Sequence, residues 1–350
     1  MSINKFLNLT KNQHFVSQAE QRMNSCSANP DSNKVKIYRF NIEGVSPPRI
    51  SPDGKVAICR NLSFHDLFTI LRTPEKERIN LEGLFGRYEG EFSMRATNLL
   101  GWVGKARSAS GIISGKIELN GIEGCNLSEV LDDIKFIYKY KILVGIRNPF
   151  KIKDTLRDFA FALNRSLAEA GALELYTALE AKNKAEETRI CSTYGVSPKE
   201  YREWIRLLIL FLYVGEDKSA ILDGFIDEFF KAKEFTTNIL ICAFDGEYAL
   251  LPDTGVVKDE FSDGLATYMN VSKHCIVALK HTKIDGRFLD QICEENKHKL
   301  AGSVFGSLFV NDKKVLAGYN KICVKAAAKQ VFSGAPEIAG VEVIEKSAGF

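Results

Sequence analysis

Two glutamates, Glu82 and Glu89, stand seven residues apart in the segment NLEGLFGRYEGEF. On a helix that spacing places both on one side, where paired carboxylates can hold Mg²⁺ or Mn²⁺ or divide acid and base roles. The same pair also reads as an acidic edge beside an apolar stripe. His14 stands just ahead of Ser17 and Glu20, which fit a capping box. Its imidazole would then lie by a helix N-terminus able to hold an anion. Arg147 closes the apolar stretch FIYKYKILVGI, ahead of Asn148 and Pro149. A guanidinium there suits either a buried carboxylate or a phosphate. Lys135, Lys139, Lys141, Lys151 and Lys153 make this the most basic local region, a nucleic-acid contact or an ordinary solvated face.

Two partial nuclease patterns accompany these residues. Pro252-Asp253 with Glu295 and Lys297 spells the letters of a restriction-type site, whose carboxylates bind metal while a lysine faces the phosphate. His14-Phe15-Val16 resembles the start of a ββα-metal site, but the next histidine is only at His65. The chain contains no phosphate-binding GxxxxGK[ST] loop, no dinucleotide fingerprint, no G-x-S-x-G elbow and no H-E-x-x-H. Those absences remove the commonest nucleotide, hydrolase and metalloprotease readings.

The elements that must position these groups follow from pattern. A short helix is expected after Ser17, and KVKIYRF and KVAICR suggest a hairpin across GVSPPRISPDG. Leu81, Leu84, Tyr88, Phe92 and Leu99 fall at helical steps. Residues 104–124 read as loop with one strand. Helices are expected over about 128–145, 152–187 with a break near Gly171, 197–214 and 219–233. NILICAF and EYALLP flank Asp245-Gly246, a hairpin signal. TYMNVSKHCIVALKH reads as one strand, followed by helices near 286–300 and 312–332. The expected fold class is α+β, mainly helical, with an N-terminal hairpin and a small antiparallel sheet in the C-terminal third. The expected organisation is one domain over 1–335, or two lobes at 1–235 and 236–335, with a tail at 336–350.

The chain has 350 residues, 45% hydrophobic and 26% charged, enough to bury a core without metal or disulfide. Its 47 basic and 44 acidic residues leave +3, so no whole-molecule field marks a nucleic-acid binder. Eight scattered cysteines with no C-x-x-C pair argue against a zinc ribbon and fit a reducing compartment. The N-terminus lacks the pattern of a signal peptide. The run IRLLILFLYV is too short to span a membrane. A cytoplasmic location, with no membrane partner, is expected.

The ordered segments resemble an uncharacterised bacterial family, domain-of-unknown-function family 4238. Its opening motif resembles QHFVSQAEQRM around His14, and its acidic helix resembles NLEGLFGRYEGEF with Glu82 and Glu89. Its Arg-Thr-Pro helix end is similar to LVGIRNPF, with Arg147 and Pro149. LLPDTGVV around Asp253, YMNVSKHCIVAL with Ser272, and YNKICVKAAAKQVF with Asn320 complete the order from about Lys11 to Phe332. Ser17 stands for the usual Pro, Asp253-Thr254-Gly255 for an Asp-Asn-Pro turn, and Asn270-Val271 for Pro-Leu. The resemblance implies a shared polar site but names no reaction.

The expected function is a metal-dependent nuclease or other phosphodiesterase, placed in phage defence. Catalysis would rest on His14, Glu82, Arg147 and Asn320, and substrate binding on Arg147, Lys151 and Ser272. Glu82, Glu89 and Asp253 would hold Mg²⁺ or Mn²⁺. Nucleic acid would be the substrate, with a partner protein of a defence system. The alternatives are a non-catalytic sensor or partner-binding subunit with a buried polar network, and a metal-independent transferase.

Overall fold

The computed structural model describes residues 6–27, 34–71, 78–119, 125–167, 169–215, 219–284 and 302–344. Its first elements are β1 (Asn12–His14), α1 (Gln18–Met23), β2 (Lys36–Val45), β3 (Pro48–Ala57), β4 (Ser63–His65), β5 (Thr69–Leu71) and β6 (Arg78–Asn80). The middle contains α2 (Gly86–Ser110), β7 (Gly115–Glu118), α3 (Leu131–Ile146), α4 (Ile152–Asp158) and α5 (Ala160–Leu163). It continues with α6 (Ala170–Glu180), α7 (Lys184–Tyr194), α8 (Pro198–Leu212) and α9 (Ile221–Lys231). Then come β8 (Phe235–Ala243), β9 (Leu251–Pro252), β10 (Val257–Phe261), β11 (Gly264–Ser272) and β12 (Cys275–Lys283). The last are β13 (Val304–Val310), α10 (Lys313–Ala326), β14 (Gln330–Ser333) and β15 (Glu342–Val343).

These elements form two units, each assembled from three separated stretches. The first comprises Met1–Ser17, Leu62–Glu91 and Ile142–Asp227; the second comprises Gln18–Asn61, Phe92–Lys141 and Glu228–Phe350.

The first unit is built on α8. Ser197 accepts from the Glu200 amide while the Glu200 carboxylate accepts from the Ser197 amide, and Pro198 occupies the first turn. Trp204 is fully buried, and its indole donates to the Ile146 carbonyl at 2.7 Å. Phe68 packs edge-on to Phe85 and lies against Trp204, with centroids 4.9 and 5.7 Å away. Two short antiparallel ribbons complete the unit. β1 pairs with β4 in the register Asn12↔His65, and β5 with β6 in the register Thr69↔Asn80. Where β6 ends, Asn80 accepts from the Glu82 amide and starts a 3-10 turn over Leu81–Leu84. The α-helix α2 follows at Gly86.

The second unit holds a six-stranded sheet in the order β10-β11-β12-β8-β13-β7 and a five-stranded sheet in the order β15-β3-β2-β14-β9. α10 buries Leu316, Tyr319, Cys323 and Val324 in a core with Phe40, Ile50, Leu250 and Val331. Asp312 caps α10 by accepting from two backbone amides. Deeper in the unit, Lys141 and Glu20 form an ion pair with no exposed surface on either side chain. Tyr140 donates to the second Glu20 oxygen at 3.0 Å, and Lys141 also donates to the Gly255 carbonyl at 3.2 Å. Burial pushes the Lys141 ammonium below its ordinary value, and Glu20 opposes that shift.

The expectation of a mainly helical chain with one small C-terminal sheet is overturned. Among the described residues 45% are helix and 28% strand, with four sheets of two to six strands spread along the sequence. TYMNVSKHCIVALKH is not one strand but the β11–β12 hairpin, which turns at Lys273-His274. NILICAF does not pair with EYALLP. β8 pairs with β12 and β13 instead, and Leu251-Pro252 pairs with Phe332 and Val331 in the other sheet. The long match with β12 outweighs the local turn signal of Asp245-Gly246. α2 continues to Ser110 through part of the Gly/Ser-rich stretch, and Phe332 lies in β14 rather than in a helix. The helix expected near 286–300, with Glu295 and Lys297, lies outside the described residues. Among the described residues, no helix is long and apolar enough to cross a membrane.

A buried ammonium left without its carboxylate is strongly unfavourable. Glu20→Ala is therefore expected to cost about 3–5 kcal/mol of stability. The double variant Glu20→Leu/Lys141→Met should recover most of that loss. Denaturation midpoints of the three proteins check both outcomes.

Candidate acid–base site in the first unit

Arg147 follows the last residue of α3, where the Asn148-Pro149 pair stops the helix. The residue before a proline is biased away from the helical region, and Asn148 accepts from the Phe150 amide to cap a new 3-10 turn. The Arg147 guanidinium has no exposed surface. Its Nε donates to the Phe15 carbonyl at 3.1 Å, and a terminal nitrogen stands 2.6 Å from Glu89 Oε1. The guanidinium also lies over the Phe85 ring, 4.8 Å from its centroid. One cation thus joins the end of β1, the end of α3 and the first turn of α2.

Glu82 lies beside this pair. Asn80 reaches its carboxylate from Nδ2 at 3.4 Å while accepting from its amide at 2.8 Å. The backbone of His14 also hydrogen-bonds the Glu82 carboxylate. The carboxyl is held above the ordinary glutamate value, first by burial and further by the charge of Glu89. Asn80, Arg147 and the His14 backbone oppose that shift without cancelling it. His14 itself is buried, and Glu89 is a third exposed. His14, Glu82, Glu89 and Arg147 therefore come together in one unit.

The other expected site residues do different work. Asp253 belongs to the second unit and accepts from the backbone amides of Ala328, Lys329 and Gln330 at 2.7, 2.8 and 3.0 Å. Both its oxygens serve the turn leading into β14. Asn320 accepts from the Leu250 amide and donates to the Tyr248 and Ala339 carbonyls, which fastens α10 to its neighbours. Ser272 accepts from the His274 amide at 3.3 Å and shapes the β11–β12 turn. Lys151 pairs with Asp154 at 3.3 Å.

The basic run also divides. Lys141 is buried against Glu20, and Lys135 lies over the Phe230 ring. Nor is the expected metal trio assembled. Among the described residues, the group of three whose ligand atoms lie within 4.8 Å of one another is His65, Asp66 and Glu186, not Glu82, Glu89 and Asp253.

Sequence reasoning passed over Asn80, Phe15 and Phe85. Asn80 carried a readable signal, an Asx residue just ahead of a helical start. Phe15 contributes a carbonyl and Phe85 a ring face, roles that no residue type announces.

Scans against family models, curated proteins and solved structures each return no match.

The raised Glu82 value has a stability consequence. A carboxyl whose folded value exceeds the unfolded one stabilises the fold while protonated, and that contribution fades as pH rises through the folded value. Glu82→Gln removes the charge and keeps the shape. It should raise the melting temperature by about 2 °C or more at pH 7 and by less at pH 4. Thermal melts across that range decide it.

Proposed function

We propose that the first unit carries an acid–base site of a phosphodiester hydrolase, with Glu82 as the proton donor. The observation that supports this reading is the unequal treatment of two neighbouring carboxyls. Burial and Glu89 hold Glu82 in its protonated form to higher pH, while Arg147 balances the charge of Glu89. A carboxyl raised above its ordinary value beside an ion-paired carboxylate suits general acid catalysis. In the proposed reaction, water adds to phosphorus as the bond to the leaving oxygen breaks. Glu82 gives its proton to that oxygen, and His14 takes the proton lost by water. Arg147 is a positioning residue here, because its guanidinium is already engaged by Glu89 and Phe15.

Mg²⁺ or Mn²⁺ at Glu82 and Glu89 is the metal-dependent form of the same proposal, and chelation separates the two forms. A cytoplasmic location and a part in phage defence, with a partner protein, belong to this reading too. So does membership of the family that the ordered motifs resemble. The test is hydrolysis of bis(p-nitrophenyl) phosphate, DNA and RNA, each with EDTA, Mg²⁺ or Mn²⁺. Wild-type protein is expected to be active, and Glu82→Gln to lose about 10²-fold or more while melting no lower than wild type. A wild type inert on every substrate, or a Glu82→Gln variant of full activity, would defeat the proposal.

A second reading is favoured by a different observation. Arg147, Asp253 and Asn320 all direct their polar atoms to backbone groups or buried partners. A non-catalytic partner-binding subunit would need them for architecture alone. In that case Glu82→Gln changes stability and nothing else.

A further inference from the structure

We propose that His65, Asp66 and Glu186 form a site for one transition-metal dication of the zinc class, gated by Arg189. The three ligand atoms lie within 4.8 Å of one another. His65 Nδ1 stands 3.1 Å from Asp66 Oδ2. The residues come from β4, the turn after it and the first turn of α7, all in the first unit. One imidazole with two carboxylates is a donor set for zinc and its neighbours, whereas Mg²⁺ prefers oxygen alone.

The three ligands are held with different firmness. Asp66 is buried, and both its oxygens receive nitrogens of the Arg78 guanidinium. Arg78 is thereby the outer partner that orients a ligating carboxylate. His65 is half exposed and Glu186 sits at the start of a helix, so both can close on an ion. Zinc bonds of about 2.0–2.2 Å require that closure.

Arg189 is the competitor. It pairs with Glu186 across one helical turn, an arrangement that contributes little where half exposed. It has two other holds, a hydrogen bond to the His65 carbonyl at 2.5 Å and a position over the Phe64 ring at 4.6 Å. An ion that takes Glu186 therefore leaves Arg189 a place to rest. Removing Arg189 takes one positive charge from beside the ligands, while Arg78 and Lys182, whose charge also acts on Asp66 and Glu186, remain.

Calorimetric titration of Zn²⁺ into the full chain tests this directly. Wild type should bind one equivalent, reversed by EDTA, that His65→Ala and Glu186→Gln each remove. Arg189→Gln should tighten that binding about two- to fivefold, the size of the surface pair it abolishes. A merely structural salt-bridge network would show no tightening. No binding, binding that survives both ligand variants because cysteines hold the zinc, or weaker binding in Arg189→Gln would each overturn the site. None of these outcomes depends on hydrolysis at Glu82.

Discussion

A guanidinium with no access to water is tolerable only where protein groups replace its hydration on every side. The groups around Arg147 are a carbonyl, a carboxylate and an aromatic face. Its partners lie on two stretches of the first unit, Phe15 on one and Phe85 with Glu89 on another, and Arg147 itself lies on the third, so the requirement fixes where those stretches meet. β1 must bring the Phe15 carbonyl inward, and α2 must begin where Glu89 falls in its first turn. Glu82 inherits its surroundings from that arrangement. Its closeness to Glu89 follows from their spacing along one turn-and-helix segment, and the Arg147 charge acts on both.

The second unit handles buried charge by the same rule with different chemistry. Lys141 is a compact ammonium that needs three acceptors, and it finds Glu20 and the Gly255 carbonyl. Asp253 needs donors, and a tight turn supplies three backbone amides, the pattern of an anion in a nest. Both residues are buried, where an unsatisfied partner would be costly and a satisfied one specifies a single packing. Polar residues that look catalytic in a sequence can thus be the joints of the fold.

Local signals in the sequence were legible where the chain interacts with itself nearby. Ser197 and Glu200 announce α8, and the apolar spacing from Leu81 to Leu99 announces the turn and helix that carry Glu82 and Glu89. The β2–β3 hairpin was also readable, although much of its supposed loop is strand. What escaped depends on distant pairing. β8 has the turn residues of a hairpin at its end, yet its partners are β12 and β13, decided by a long register of apolar side chains. Likewise, no spacing rule connects Glu20 with Lys141 or Asp253 with Ala328, because those contacts exist only after the sheets and helices have assembled. The sequence reading put His14, Glu82, Glu89 and Arg147 in one site with Asp253 and Asn320, which belong to the other unit, and it did not give the division of labour among them.

That division rests on how fully each polar group is engaged. Asn320 uses its acceptor and both donors on backbone groups, and Asp253 uses both oxygens, so neither offers geometry to a substrate without undoing a joint. Arg147 is held by the Phe15 carbonyl and by its ion pair with Glu89. Glu82 differs because its neighbours work against one another. Asn80, Arg147 and the His14 backbone favour its charged form, while burial and Glu89 disfavour it and prevail. A purely architectural carboxylate has its oxygens taken up by donors, as Asp253 has by three amides. A carboxyl held in the opposite balance costs the folded protein stability at neutral pH, which is the kind of cost that functional sites carry. The chemical argument for this protein therefore narrows from six polar residues to Glu82 and to the surroundings that raise its carboxyl above the ordinary value.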